Sequence, residues 1–108
     1  MSEMAVLVIR IRKEQAADYE RLFEQSELPR WRDYHERGVF KSARIFRSAF
    51  GSDERPDVAN YVIAVETVGE GHHEHDSDPG FRTFNEQADA FQPEDPLVFG
   101  GEPLFSVG

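Results

Sequence analysis

The chain has 108 residues, the usual size of one domain, and a net charge of −9 from 21 acidic and 12 basic residues. This acidic balance argues against nucleic-acid binding, which needs Lys and Arg to neutralise phosphates. Because the sequence has no cysteine, disulfides and thiolate metal sites are excluded.

The apolar segments are short. The longest apolar run, residues 5–9, falls far below the roughly 20 residues that a membrane-spanning helix needs. The amino terminus also lacks the basic start and long apolar stretch of a secretion signal. We therefore expect a cytoplasmic protein with neither nucleic acid nor membrane as a partner.

The first half of the chain predicts a strand followed by helix. Residues 5–11 begin as a continuous apolar run, which is typical of a strand covered on both faces. From Glu14 the apolar residues recur at helical spacings of three and four, up to an interruption at Pro29. Because proline removes a backbone donor and clashes with the preceding turn, either a kink or a new helix over residues 30–37 fits this pattern.

Two strands follow. Residues 39–50 predict a second strand whose mixed faces suit the edge of a sheet, and residues 51–57 predict a polar hairpin loop. Residues 58–68 predict a third strand that is apolar on both faces, with Tyr61, Ile63 and Val65 on one face and Val62 and Ala64 on the other.

The last third predicts a loop, a helix and β-structure. Residues 69–77 are polar and contain two glycines, so we expect a solvated loop. Asp78 and Pro79 form a typical helix start, and Pro93 and Pro96 end that helix. Residues 97–99 and 104–107 are β-prone and fit either one bulged strand or two.

The element order β-α-β-β-α-β predicts an α+β fold: one ferredoxin-like domain over residues 1–108, with strands one and three at the centre of an antiparallel sheet. Two helices cover only one face of such a sheet. We therefore expect a homodimer joined through the uncovered sheet faces. The alternative is a monomer whose second face is covered by the segment from Gly100 onward.

The element order and hydrophobic pattern resemble the dimeric α+β barrel superfamily, which includes antibiotic-biosynthesis monooxygenases, stress-responsive barrel proteins and EthD-type proteins. Residues 23–29 are similar to a segment of some EthD-like members that ends in His-Leu-Pro, with Glu27 here in place of the histidine. Haem-degrading members use an Asn, a Trp and a His. Trp31 precedes Asn60 in this chain, contrary to that order, so haem degradation is not expected.

The resemblance implies a ligand pocket between the helices and the sheet. His35, Arg44 and Tyr61 are the predicted catalytic residues: His35 to shuttle a proton, Arg44 to stabilise an enolate or carboxylate, and Tyr61 to hold a substrate oxygen. The alternative is that the aromatic residues are ordinary core and that His35 lies on the surface. The remaining candidates form the predicted ligand-binding set, namely Trp31, Tyr34, Asn60 and Phe84.

The loop carrying His72, His73, His75, Asp76 and Asp78 has side chains that suit zinc, nickel or copper. Since nothing in the sequence fixes these side chains in place, we expect no metal site there.

The functional hypothesis is a cofactor-independent monooxygenase or isomerase-like enzyme acting on a small hydrophobic or aromatic molecule. The alternative is a non-catalytic stress-response or ligand-binding dimer. A third hypothesis is haem binding, with His35 as the first ligand to mutate.

Overall fold

A four-stranded antiparallel sheet with the strand order β2-β3-β1-β4 forms one layer of the computed structural model, which describes residues 2–108. This order confirms that strands one and three are central. Strand β1 pairs with β3 along the whole of its length, and β3 has the bounds that the sequence predicts. The strands are β1 Ser2–Arg12, β2 Phe40–Arg47, β3 Val58–Val68 and β4 Leu97–Gly101.

The helices form the second layer. A 3-10 turn, Lys13–Gln15, leads from the sheet into the first of them, and Asp78 caps the last one by accepting a hydrogen bond from the Gly80 amide at 2.8 Å. The helices are α1 Ala16–Leu22, α2 Leu28–Glu36, α3 Gly71–Asp76 and α4 Pro79–Asp89.

A π-helical turn, Phe23–Glu27, joins α1 to α2 without a break. The amide of Leu28 bonds to the carbonyl of Phe23, five residues back, and Pro29 lies in the first turn of α2. The sequence left open either a kink or a new helix at Pro29, and the structure has elements of both. The helical segment continues through Pro29, but the turn before it contains one extra residue, and Pro29 lies in the first turn of α2. Glu27, at the end of this widened turn, is buried together with Phe23 and Trp31.

Two local predictions were wrong. The segment predicted as a solvated loop contains α3, which packs onto the sheet because Gly71 leaves room there: a Cβ at Gly71 would lie 2.8 Å from side-chain atoms of both Thr67 and Val39. The second β-prone piece, residues 104–107, is not a strand, and its apolar side chains are exposed. The carboxyl-terminal β-structure is thus the single strand β4.

The two faces of the sheet have different environments. Tyr61, Ile63 and Val65 face the helices and are buried. The opposite side, which we call the outer face, carries half-buried or exposed apolar side chains placed there by the register: Met4, Val6, Val8, Phe46, Val62, Ala64, Leu97 and Phe99.

Candidate functional site

A cavity of about 230 Å³, which we call the inner cavity, lies between the helices and the helix-facing side of the sheet. Most of its wall is apolar, and exposed residues from β1, α3, α4 and β4 mark its mouth. Its main apolar lining residues are Ala5, Leu7, Ile9, Phe23, Trp31, Phe40, Ile63, Val65, Phe81, Phe84 and Ala88.

A buried Glu27–His75 pair is the main polar feature of this wall. The Nε2 atom of His75 donates to Oε2 of Glu27 at 2.6 Å, and the Glu27 side chain is only 3% exposed. Glu27 also accepts hydrogen bonds from Arg30 Nε at 2.7 Å and from Trp31 Nε1 at 3.1 Å. The carboxylate is therefore held by three donors from two separate parts of the chain.

His75 lies among aromatic rings. The ring centroids of Phe81, Phe40 and Tyr34 are 4.3, 5.5 and 5.6 Å from that of His75. Burial alone would lower the pKa of His75. The hydrogen bonds to Asp76 and Glu27 outweigh burial and raise this pKa from 6.5 to about 9. His75 is therefore an imidazolium at neutral pH, inside a largely apolar cavity.

Two of the predicted ligand-binding residues, Trp31 and Phe84, line the inner cavity. Tyr34 is buried but does not line it. Its hydroxyl donates to Oδ2 of Asp78 at 2.9 Å and so ties α2 to the start of α4. The side-chain amide of Asn60 bonds instead to the backbone carbonyl of Asp53 at 2.5 Å.

The three predicted catalytic residues lie outside the inner cavity. His35 and Arg44 are exposed and line a surface groove of about 330 Å³ between α2 and β2. Tyr61 lines a different groove, where its hydroxyl donates to the carboxylate of Glu20. The structure thus brings His35 near Arg44 but places Tyr61 apart from both. Their catalytic roles, and haem ligation by His35, stay predictions.

The sequence reasoning missed Glu27 and His75 as partners. The only signal for Glu27 was its spacing of four from both Phe23 and Trp31, which puts a carboxylate on an apolar helical stripe. His75 lies with His72 and His73 in a polar segment, and no local pattern distinguishes it from them.

The other histidines of α3, His72 and His73, do not form a metal-binding cluster with His75. Within residues 2–108, no three or more His, Asp and Glu side chains are grouped so as to hold a metal ion. The Nε2 atom of His72 lies 3.1 Å from the carbonyl oxygen of Glu3, and His73 is exposed. Over the same residues, no helix has the length and apolar character needed to span a bilayer.

No protein-family profile and no curated protein sequence matches the chain. Solved structures do match. Rv0793 from Mycobacterium tuberculosis gives a TM-score of 0.77 at 14% identity, and the match covers 100% of both chains. An antibiotic biosynthesis monooxygenase gives a TM-score of 0.68 at 15% identity, covering 96% of this chain and 99% of that one.

The chain therefore has the α+β ferredoxin-like fold that these solved structures share, antibiotic biosynthesis monooxygenases among them. A variant of SnoaB, a cofactor-independent oxygenase from Streptomyces nogalater, gives a TM-score of 0.69 at 10% identity, covering 98% of this chain and 96% of that chain. At identities of 10–15%, the structural similarity establishes the fold alone.

Proposed function

We propose that this chain is a cofactor-independent oxygenase that acts on a small aromatic or conjugated molecule held in the inner cavity. The observation that carries the proposal is the buried Glu27–His75 pair, 2.6 Å apart, in the wall of a largely apolar cavity. An apolar pocket with a few convergent polar groups is the usual form of a small-molecule site. The fold shared with an oxygenase that needs no cofactor supports the reaction class.

The cavity limits the size of the substrate. At about 230 Å³ it lies below the range of roughly 300–1,000 Å³ that is typical of sites for drug-sized ligands. One or two fused rings fit this volume better than a larger polycyclic compound. The rings of Phe81, Phe84 and Trp31 offer edges and faces for packing against such a ligand.

The chemistry needs a substrate anion, because an electron-rich anion can react with molecular oxygen directly. With 1-naphthol as an example, the hydroxyl proton and the hydrogen on the para carbon are lost. One oxygen atom of O₂ becomes the second carbonyl of 1,4-naphthoquinone, and the other leaves as water with both hydrogens. We assign the stabilisation of the anion to the His75 imidazolium, which Glu27 holds in place. Isomerisation would use the same anion without oxygen.

A second candidate function, a ligand-binding module without catalysis, is favoured by one observation. Both ring nitrogens of His75 and three lone pairs of Glu27 already have protein partners. A pair so fully hydrogen-bonded is also what a purely structural network contains. If a bicyclic ligand binds but is not oxidised, the protein is a ligand-binding module and not an oxygenase.

Substituting His75→Gln is expected to lower the rate of oxygen consumption with 1-naphthol about 10²- to 10⁴-fold, because the amide can bond to Glu27 but carries no positive charge. The rate is measured with an oxygen electrode and, independently, by the absorbance of the quinone product. Binding is followed by the fluorescence of Trp31, the single tryptophan, which lines the cavity.

The matched control is His73→Gln, since His73 lies on the same short helix but is exposed and outside the inner cavity. This variant should keep the activity of the wild type. The variant His35→Gln, tested alongside, decides whether the histidine predicted from the sequence takes part. Loss of activity in His35→Gln with full activity in His75→Gln would contradict the assignment made here.

The proposed active form is a homodimer joined through the outer face. Phe46 and Phe99 on this face are 58% and 61% exposed in the single chain. In the register, Val62 and Val8 follow Phe46 across β3 and β1, and Val6 lies beside Phe99. A contiguous apolar sheet surface of this kind is typical of an interface. A two-fold axis makes one such face complementary to itself, so a second copy is the simplest partner.

Substituting Ala64→Arg is expected to convert the protein from a dimer to a monomer at micromolar concentration, because it places a second positive charge between Arg44 and Val6 on the outer face. Sedimentation velocity should give twice the chain mass of 12.4 kDa for the wild type and the single mass for the variant. Phe50→Arg is the control, since Phe50 is 87% exposed in the β2–β3 connection. A wild type that sediments as one chain would overturn the proposed assembly.

A further inference from the structure

The two partners of His75 are held very differently. Glu27 is buried and fixed by Arg30 and Trp31. Asp76, whose Oδ1 atom lies 3.1 Å from Nδ1 of His75, has a side chain that is 68% exposed. Hydrogen bonds and ion pairs to an exposed carboxylate contribute little net stability. Of the two contacts, the one to Asp76 is therefore the easier to exchange.

Asp76 also lies on the wall of the inner cavity, near its mouth. Its carboxylate thus occupies the position at Nδ1 that a ligand entering the cavity can reach. Because the Asp76 carboxylate occupies this position, an anionic oxygen of a ligand fits there as well. No other acidic side chain of α3 lines the cavity, since Glu74 points to Arg37 at 3.8 Å.

The hydroxyl of Tyr19, a further polar group of the cavity, has no hydrogen-bond partner among residues 2–108. Tyr19 is 1% exposed and lines the inner cavity, and among residues 2–108 its hydroxyl accepts and donates no hydrogen bond. A buried hydroxyl without a hydrogen-bond partner destabilises the folded protein, so a ligand oxygen that accepts from it is favoured. Burial, with the nearby Tyr61 and Glu27, raises the pKa of Tyr19, so this hydroxyl stays protonated and available as a donor.

We propose that the ligand of the inner cavity is a small aromatic carboxylate, whose carboxylate replaces that of Asp76 at Nδ1 of His75 and whose second oxygen accepts a hydrogen bond from the Tyr19 hydroxyl. This inference rests on the proposed function and narrows its substrate class. In a hydroxy acid the His75 imidazolium holds the carboxylate, and the oxygen that loses its proton lies at the Tyr19 hydroxyl. In the free protein the Asp76 carboxylate accepts the hydrogen bond from Nδ1 of His75. When the acid binds, its carboxylate takes this position and the Asp76 side chain moves into solvent.

Asp76→Ala is expected to bind 6-hydroxy-2-naphthoate about 3- to 10-fold more tightly than the wild type, since both the competition for Nδ1 and the repulsion between carboxylates are removed. The affinity for 2-naphthol, which has no carboxylate, should stay within about twofold. Affinities are measured by titration calorimetry and by Trp31 fluorescence. The matched control is Glu74→Gln, an exposed acid of the same helix outside the cavity, which should leave both affinities unchanged.

Tyr19→Phe tests the other end of the ligand. It should weaken binding of 6-hydroxy-2-naphthoate about 3- to 10-fold and leave 2-naphthoate, which lacks the second oxygen, unaffected. An Asp76→Ala variant that binds the acid no more tightly, or more weakly, overturns the inference even if 2-naphthol binds and is oxidised. Failure of all three naphthalene compounds to bind or to alter Trp31 fluorescence would overturn the proposed function together with it.

Discussion

Glu27→Leu is expected to lower the free energy of unfolding by about 3–5 kcal/mol, because it leaves two cationic groups without their buried partner. The Glu27 carboxylate accepts from His75 Nε2 at 2.6 Å and from Arg30 Nε at 2.7 Å. The side chains of His75 and Arg30 are only 11% and 15% exposed, so water compensates poorly for the lost hydrogen bonds. Urea denaturation at pH 7 and one fixed protein concentration measures the change.

The control is Glu24→Leu, which removes an exposed carboxylate from the same π-helical turn and should change the free energy of unfolding by less than about 0.5 kcal/mol. The double variant Glu27→Leu, His75→Phe separates the loss of the pair from the loss of packing. Because it removes both buried charges of the pair, it should recover much of the stability lost in Glu27→Leu. A single variant within about 1 kcal/mol of the wild type would contradict a charged buried pair.

The sheet was predictable because its signals are local and periodic. Strand β3 is apolar on both faces and bounded by turn residues, and it has the predicted bounds Val58–Val68. The two-sided pattern also identified the central strands. Which face would be covered stayed open, since a shift of one residue exchanges the two faces of a strand. Packing of Tyr61, Ile63 and Val65 against the helices settles that choice.

The candidate site was not predictable, because its two main residues depend on tertiary packing. A glutamate on a helix is exposed in most proteins, and Glu27 becomes buried only because His75, Arg30 and Trp31 surround its carboxylate. His75 belongs to a helix that forms where Gly71 fits closely against the sheet. Apart from the spacing of Glu27 from Phe23 and Trp31, the local sequence carries no signal of these contacts.

His35 illustrates the opposite error of inference. It shares a side of α2 with Trp31 at a spacing of four, which made an aromatic pocket around it reasonable. Trp31 is 6% exposed, whereas His35, one turn further toward the end of the helix, is exposed in the groove beside β2. Helical spacing predicts which residues lie on the same side of a helix, but it does not predict at which residue that side becomes exposed to solvent.

The pH dependence of stability gives a direct test of the charge on His75. Its pKa is raised from 6.5 to about 9 by the folded structure, so the native state binds this proton more tightly than the unfolded chain does. The resulting stabilisation is fully present below about pH 6.5 and is lost as the pH rises through 9. The difference between the two pKa values corresponds to roughly 3 kcal/mol.

His75→Gln should therefore show no such loss, and the stability advantage of the wild type over this variant should shrink by roughly 3 kcal/mol between pH 6 and pH 10. Taking the difference between the two proteins removes the contribution of lysines and tyrosines that titrate in both. The groups facing His75 are Glu27 on the π-helical turn, Tyr34 on α2 and Asp76 beside it; Arg30 on α2 shares the Glu27 carboxylate. His73→Gln, on the exposed side of α3, should follow the wild type at every pH. If the wild type and His75→Gln lose stability in parallel, the histidine is neutral in the folded protein, and a neutral imidazole would not provide the charge that the proposed stabilisation of a substrate anion requires.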